Sequence, residues 1–329
     1  MLLENDFNRT SLVEVSQSLE SNIPGLFVAG DLVGPRLIRH ALEQGRIAAE
    51  AIAASVKKQK PREASFDLAV IGAGPAGLSA AITAKAKGLS CVVFEREKPL
   101  NTIQNYPTGK NVSAEPKGLN VKSPLDFKQL KKEKLLEFWL SKVKSRKIDL
   151  REGEEVQSVK KHAELFEVKT ATETYRSKTV LLAFGTASNP KRLGIEGESL
   201  PKVFHELTHP EKFSGKKILV VGGGNTAIEA TLALSEKNEV IISYRKQGFF
   251  RVGEENYNAL GQKIAEEQIE VLFNSSIKRI GEKTVELEQR GTTMKLENDF
   301  VFVLVGSIPP TEFLEKFGLS LKQPEGKQY

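Results

Sequence analysis

The alternation of apolar and polar positions runs through the same course twice along the chain. Phe66 to Ile71 is a short apolar run entering Gly72-Ala73-Gly74-Pro75-Ala76-Gly77, and an alanine-rich stretch of helical period follows as far as Gly88. A second apolar run, Ser90 to Phe94, ends at Glu95. Lys217 to Val221 likewise enters Gly222-Gly223-Gly224-Asn225-Thr226-Ala227, with a predicted helix to about Glu236 and a strand from Glu239 to Ser243 leading to Arg245. Short apolar runs bounded by glycine read as buried parallel strands, so each stretch predicts a β-α-β unit. Glu155 to Val159, Leu165 to Thr170 and Thr174 to Phe184 then predict a three-stranded meander. Ser276 to Ile280, Thr284 to Glu288, Met294 to Leu296 and Phe300 to Val305 repeat the plan. Asn189, Pro190, Gly194 and Gly197 follow the first meander, and Ser307, Pro309 and Pro310 follow the second, so the crossings between domains and their hinges are expected there.

The glycine clusters carry candidate chemistry. The first glycine of such a cluster permits the tight strand-to-helix turn, the second lets a pyrophosphate approach the backbone, and the third position keeps helix and strand close. The phosphates then meet the free N–H groups and the positive dipole end of the helix. In both units the residue beyond the second strand lies 23 positions after the first glycine, and the two residues differ in sign: Glu95 and Arg245. A carboxylate there accepts hydrogen bonds from ribose hydroxyls and repels a phosphate, as the unphosphorylated adenosine of FAD requires. Arg245, followed by Lys246 and Arg251, offers cationic donors to a 2′-phosphate, so NADPH is expected over NADH at the second cradle. The fold class expected is α/β, with two Rossmann-like dinucleotide-binding domains carrying β-meander insertions. Residues 1–189 and 308–329 would form the FAD-binding domain and residues 190–307 the NADPH-binding domain.

Composition narrows the field. The chain has 329 residues, 40% hydrophobic and 27% charged, as expected for a globular protein of about two domains. No stretch approaches eighteen apolar residues, and the start has neither a basic flank nor a long apolar core, so a membrane span and a secretory leader are not expected and the expected location is cytoplasmic. One cysteine, Cys91, excludes a C-x-x-C pair within the chain, and its place in an apolar strand reads as a small buried hydrophobe. The four histidines suggest no metal site. Forty-eight basic residues face 42 acidic ones, a net charge of +6. That excess sits in residues 128–147, where eight basic residues accompany Glu133 and Glu137. Leu135, Trp139 and Val143 recur there at helical spacing, predicting an amphipathic helix whose basic side would attract an acidic protein. Neither a nucleic-acid nor a membrane partner is expected; a homodimer is compatible with the sequence.

The Gly72 fingerprint with Glu95, the strand end Ala183-Phe184-Gly185-Thr186, the Gly222 fingerprint with Arg245-Lys246, and Gly30-Asp31 together resemble the two-dinucleotide-domain flavoproteins of the thioredoxin reductase type. Tyr106-Pro107-Thr108-Gly109-Lys110 and Ser243-Tyr244-Arg245-Lys246 look more like a cysteine-poor branch near the bacillithiol-disulfide-reductase-like and ferredoxin-NADP-reductase-like proteins. In that family the Gly-Asp motif and the helix after it close the chain. Here they precede the first fingerprint, so the sequence looks circularly permuted: residues 1–56 would be the displaced segment and 57–65 a hydrophilic linker able to span about 30 Å at ~3.3 Å per residue. The new ends would fall between residues 323–326 and 5–8, and the rival reading makes residues 1–56 the tail of an upstream tandem copy. The resemblance implies that FAD contacts Gly30, Asp31, Gly72, Gly74, Pro75, Ala76, Gly77, Glu95, Val156 and Gly185, with Asp31 on the ribitol. The helix start Arg39, His40 and Ala41 would face the flavin pyrimidine edge. It implies that NADPH contacts Gly222, Gly224, Asn225, Thr226, Ala227, Arg245, Lys246 and Arg251.

The family's redox cysteine slots before the second fingerprint fall on His205 and Thr208, and the thiol that bacillithiol-type reductases carry in the first fingerprint falls on Ala76. Neither thiol is present. The expected function is therefore an NADPH-dependent flavoprotein oxidoreductase that reduces an external acceptor, ferredoxin or flavodoxin, docked on the 128–147 helix. The alternatives are a disulfide reductase acting on an external thiol partner, a flavin monooxygenase and a non-catalytic redox sensor. The monooxygenase reading rests on Val203 to His209, which match that group's Phe-x-Gly-x-x-x-His motif only in the histidine.

Overall fold

The computed structural model describes residues 12–56, 66–186, 190–250 and 252–322; the expected linker 57–65, Asn189, Arg251 and both proposed new ends lie outside them. The fold separates into two compact units. The first holds the described residues of 1–104, 109–186 and 309–329, and the second those of 105–108 and 187–308.

The first unit is organised by one sheet. Chain order begins with strand β1 (Leu26–Val28) and helix α1 (Ile38–Val56), followed by β2 (Phe66–Ile71), α2 (Pro75–Ala86) and β3 (Cys91–Glu95). A single helical turn, α3 (Asn101–Gln104), and a small ribbon of β4 (Asn111–Val112) and β5 (Leu130–Lys131) lead to α4 (Lys132–Ser145) and β6 (Asp149–Glu152). Then come β7 (Val156–His162), β8 (Leu165–Thr170) and β9 (Thr174–Leu182). The sheet order is β6-β3-β2-β9-β8-β7, with β1 also paired to β9. Leu68 to Val70 and Val92 to Phe94 are buried, as central parallel strands covered on both faces must be.

The meander is not a separate ribbon. The early part of β9 pairs antiparallel with β8, Phe166 opposite Ser177, and its later part lies between β2 and β1, all three parallel. Leu26, Phe27 and Val28 stand opposite Val180, Leu181 and Leu182, so β8 and β1 lie end to end along one edge of β9. Gly25 sits at their junction with φ +86°, its position bounded by the Phe166 ring and Lys178 O. Val13 bridges Leu321 beside this core, and Lys322 N–H donates to Leu12 O.

The basic helix is shorter than the 128–147 run. Residues 128–131 precede it, partly in β5, and α4 starts at Lys132. Its buried face is the expected Leu135, Trp139 and Val143, with the Trp139 indole N–H donating to Leu125 O at 2.8 Å. Burial of each such side chain contributes roughly 1.5–3 kcal/mol. Lys132 departs from the expected solvated face: it is buried, and its ammonium donates to Gln104 O at 3.0 Å. Among the described residues no helix is long and apolar enough to cross a membrane.

The second unit repeats the scheme. It contains β10 (Val203–Phe204), β11 (Lys217–Val221), α5 (Asn225–Ser235), β12 (Glu239–Tyr244), α6 (Glu254–Ala265) and β13 (Ile269–Phe273). β14 (Ser275–Ile280), β15 (Thr284–Gln289), β16 (Thr292–Glu297) and β17 (Phe300–Val303) complete it, before α7 (Thr311–Lys316) rejoins the first unit. The parallel sheet runs β10-β17-β11-β12-β13, and β14-β15-β16 form a separate antiparallel sheet. The expected four-stranded repeat of the meander thus loses its last strand, since β17 pairs with β11, Ile218 opposite Phe300 through Val221 opposite Val303. Val301, Phe302 and Val303 are buried, so the free-energy gain lies in the sheet interior.

Candidate nucleotide-binding sites

In the first unit three parallel strand ends open side by side. β2 delivers Gly72, β9 delivers Phe184-Gly185-Thr186, and β1 delivers Gly30-Asp31. Backbone bonds fix the edge they form: Gly72 N–H donates to Phe94 O (2.8 Å), Ala183 N–H to Ile71 O (2.8 Å) and Ala29 N–H to Leu182 O (3.0 Å). Ligands of open α/β sheets bind in such crevices beyond the carboxyl ends of the strands. Gly72 has φ +102°, and a Cβ there would lie 2.7 Å from Ala183 O, while a Cβ at Gly77 would overlap Gly72 O. Only glycine fits the turn. Gly74 caps α2 and Pro75 opens it, so the next N–H groups, at Ala76 and Gly77, belong to the first turn where helix donors have no intrahelical partner.

Glu95 ends β3 at the same crevice. Its carboxylate accepts from Ala73 N–H at 2.8 Å and from Glu97 N–H at 3.0 Å, which orients it beside the fingerprint loop with lone pairs remaining for a ribose. Asp31 lies on the turn after β1. Burial pushes its carboxyl up from the ordinary value, opposed by the Arg36 charge and the Thr186 hydroxyl. A half-buried carboxylate held so is a strong acceptor, which suits a polyol chain. These features fit FAD: a turn with no room for side chains, a helix start for the pyrophosphate, and one carboxylate at each end. Val156 is buried at the start of β7 and pairs with Thr170, and Gly185, at φ +69°, borders open space.

At the α1 start the Arg39 side chain has partners of its own. Arg39 is buried, and its guanidinium donates to Asp126 (3.0 and 3.3 Å), Pro116 O (2.6 Å), Leu119 O (2.8 Å) and Ala114 O (3.4 Å). Its donors are taken by the 114–126 loop, so any part it plays toward a flavin falls to its backbone. His40 is half-buried, and Ala41 is buried against the core. Sequence reasoning missed Thr186 as the partner of Asp31; the only signal for it was its place one residue past Gly185.

In the second unit Gly222 N–H donates to Ser243 O at 3.0 Å and Leu304 N–H to Val221 O at 2.8 Å, fixing the matching crevice. Gly222 has φ +148°, and a Cβ there would overlap Leu304 O. Gly224 caps α5, and Thr226 is exposed at its first turn, while Ala227 is buried. The Asn225 side chain is engaged elsewhere, accepting from Gly253 N–H (2.8 Å) and the Asn256 amide (3.2 Å), which leaves its backbone N–H as the group that could serve a phosphate. Beyond β12 the Tyr244 ring packs on Gly223 and stacks on Phe249 with centroids 5.5 Å apart and planes 15° apart. Arg245 is exposed next to it, and Lys246 is half-buried. Arg251 lies outside the described residues.

The thiol slots hold no sulfur. His205 is pinned between Arg192, 2.5 Å from its Nε2, and Glu198, and burial with the Arg192 charge pushes its pKa down. Burial pushes the Cys91 thiol up to about 12, so it stays protonated and unreactive at neutral pH.

Residues 69–329 match the pyridine nucleotide-disulphide oxidoreductase family, and the chain belongs to it. The bacillithiol disulfide reductase Bdr (YpdA) of Staphylococcus aureus, a solved structure, is 29% identical with a TM-score of 0.72, the match covering 79% of this chain and 82% of that one. The thioredoxin reductase of T. acidophilum is 27% identical with a TM-score of 0.66, over 79% and 83%. The ferredoxin–NADP reductase of Ignicoccus hospitalis is 27% identical over 79% of this chain and 83% of its own. With two such cradles in one chain, the protein is a thioredoxin-reductase-like flavoprotein oxidoreductase that uses FAD and NADPH.

Proposed function

We propose that this oxidoreductase passes electrons from NADPH through FAD to a small acidic carrier protein, ferredoxin or flavodoxin, docked on α4. When bound, FAD supplies the conversion of one hydride into single electrons. The chain's own residues hold the two nucleotides and present the docking face. The reading is carried by α4: Lys134, Lys144, Arg146 and Lys147 are exposed on and just after it, and Lys142 lies 5.6 Å over the Phe138 ring. Disulfide chemistry is disfavoured because the one cysteine, half-buried in β3, keeps its thiol protonated. A positive field of this kind steers a negative partner and gives salt-sensitive rates. The expected result is NADPH-dependent reduction of ferredoxin or flavodoxin whose kcat/KM falls steeply with ionic strength. Lys134→Glu combined with Lys144→Glu and Arg146→Glu should lower it by roughly tenfold or more at low salt. Salt-independent turnover, or a triple variant as fast as the parent, sinks the docking site.

We further propose that the FAD-binding half is circularly permuted, with residues 12–56 supplying the Gly-Asp turn and its helix to the same chain's sheet. Support comes from the register of β1 on β9 and from a family match that begins only at residue 69.

A further inference from the structure

We infer that Gln44 and Gly45, in the middle of α1, form a positioning element for FAD: together they register the Asp31 turn against the glycine fingerprint. Gln44 is 2% exposed, and both ends of its amide are used. Its Oε1 accepts from Gly30 N–H at 2.7 Å, and its Nε2 donates to Gly34 O at 2.6 Å. One side chain therefore spans the two ends of the turn that carries Asp31. Gly30 and Gly34 stand at φ +80° and +70°, the Val33 and Gly34 N–H groups donate to Gly30 O between them, and the amide ties the two glycine ends of this turn together.

Gly45 acts on the other half of the cradle. A Cβ built there overlaps Ala76 O, so α1 meets the first turn of α2 backbone to backbone at this point. A Cβ on Gly30 would lie 3.3 Å from the Ala76 Cβ, which makes Ala76 the common neighbour of the Asp31 turn and of α1. The spacing between the ribitol acceptor and the pyrophosphate donors is thus set by two adjacent residues, neither of which is placed to touch the cofactor. Close packing transmits sub-ångström shifts, so loosening either contact misplaces one half of the cradle relative to the other.

The test measures the FAD dissociation constant of apoprotein by flavin fluorescence, together with apoprotein Tm, for the parent, Gln44→Glu, Gln44→Leu and Gly45→Ala. A protonated glutamate has one acceptor and one donor and can replace the amide, whereas the ionised form has no donor and faces Gly34 O. Gln44→Glu should bind FAD like the parent near pH 5.5 and roughly tenfold or more weakly near pH 8. Asp31 and Arg36 on the turn, and Glu43 and Arg46 beside Gln44 on α1, also carry charge, and the parent's own pH profile removes their contribution. Gln44→Leu should bind weakly at every pH, and Gly45→Ala should bind weakly while NADP⁺ binding to the second unit is retained. Parent-like FAD affinity of Gln44→Glu across the pH range, or a lowered Tm with unchanged FAD affinity in Gln44→Leu, would overturn the proposal.

Discussion

Asp31→Ala is expected to weaken FAD binding by roughly one to two orders of magnitude while leaving NADP⁺ affinity unchanged, as read by flavin retention on desalting and by titration of the apoprotein. Loss of a charged acceptor is worth about 1.5–3 kcal/mol when the donor it served stays buried. The same carboxylate should destabilise the empty protein. Burial raises its folded pKa above the unperturbed 3.8. The penalty is therefore absent below 3.8, grows as pH rises through the raised folded value, and is complete above it. Apoprotein carrying Asp31→Asn should accordingly melt higher than the parent at neutral pH, the gap closing as pH falls toward 3.8. Undiminished FAD binding by Asp31→Ala would also reject permutation, because the segment holding β1 would then have no part in the cradle.

The second large effect concerns nucleotide choice. Replacing Arg245 and Lys246 together by alanine should raise the KM for NADPH by roughly one to two orders of magnitude and leave that for NADH nearly unchanged, since only the 2′-phosphate is lost as a partner. Arg245 is exposed and stands directly after the Tyr244 ring that packs on the fingerprint. The position is the counterpart of Glu95 in the first unit, 23 residues from the leading glycine. Steady-state kinetics with both nucleotides decide the matter; an equal rise in both KM values would assign the pair to general binding.

Much of this arrangement was legible because its constraints are local. A buried parallel strand must be apolar throughout, and a strand-to-helix turn against a phosphate must be glycine, so β2-α2-β3 and β11-α5-β12 stand out in the sequence. The strand added beyond the first of them, β6, does not. Asp149-Leu150-Arg151-Glu152 offers one apolar residue in four, as a sheet edge allows, and the pairing of β6 with β3 fixes it as a strand. Long-range partners were equally hidden. Arg39 reads only as part of the helix start, and its side-chain partner Asp126 lies 87 positions away. Gln44 is a polar residue among the buried Ala41, Leu42, Ala48 and Ala49, and its two backbone partners appear only when the turn is built. Lys132 counted as one more surface charge until its ammonium was found on Gln104 O.

The placement of β1 also dictates an order of assembly. Leu26 to Val28 join the sheet by pairing with Val180 to Leu182, about 150 positions further along, and loop closure over that distance is slow compared with formation of the neighbouring β-α-β unit. The ribitol acceptor is therefore expected to reach its post after the β2-α2-β3 unit has formed. Yellow colour in a refolding reaction would then mark the arrival of β1, whatever the speed at which the glycine turn forms.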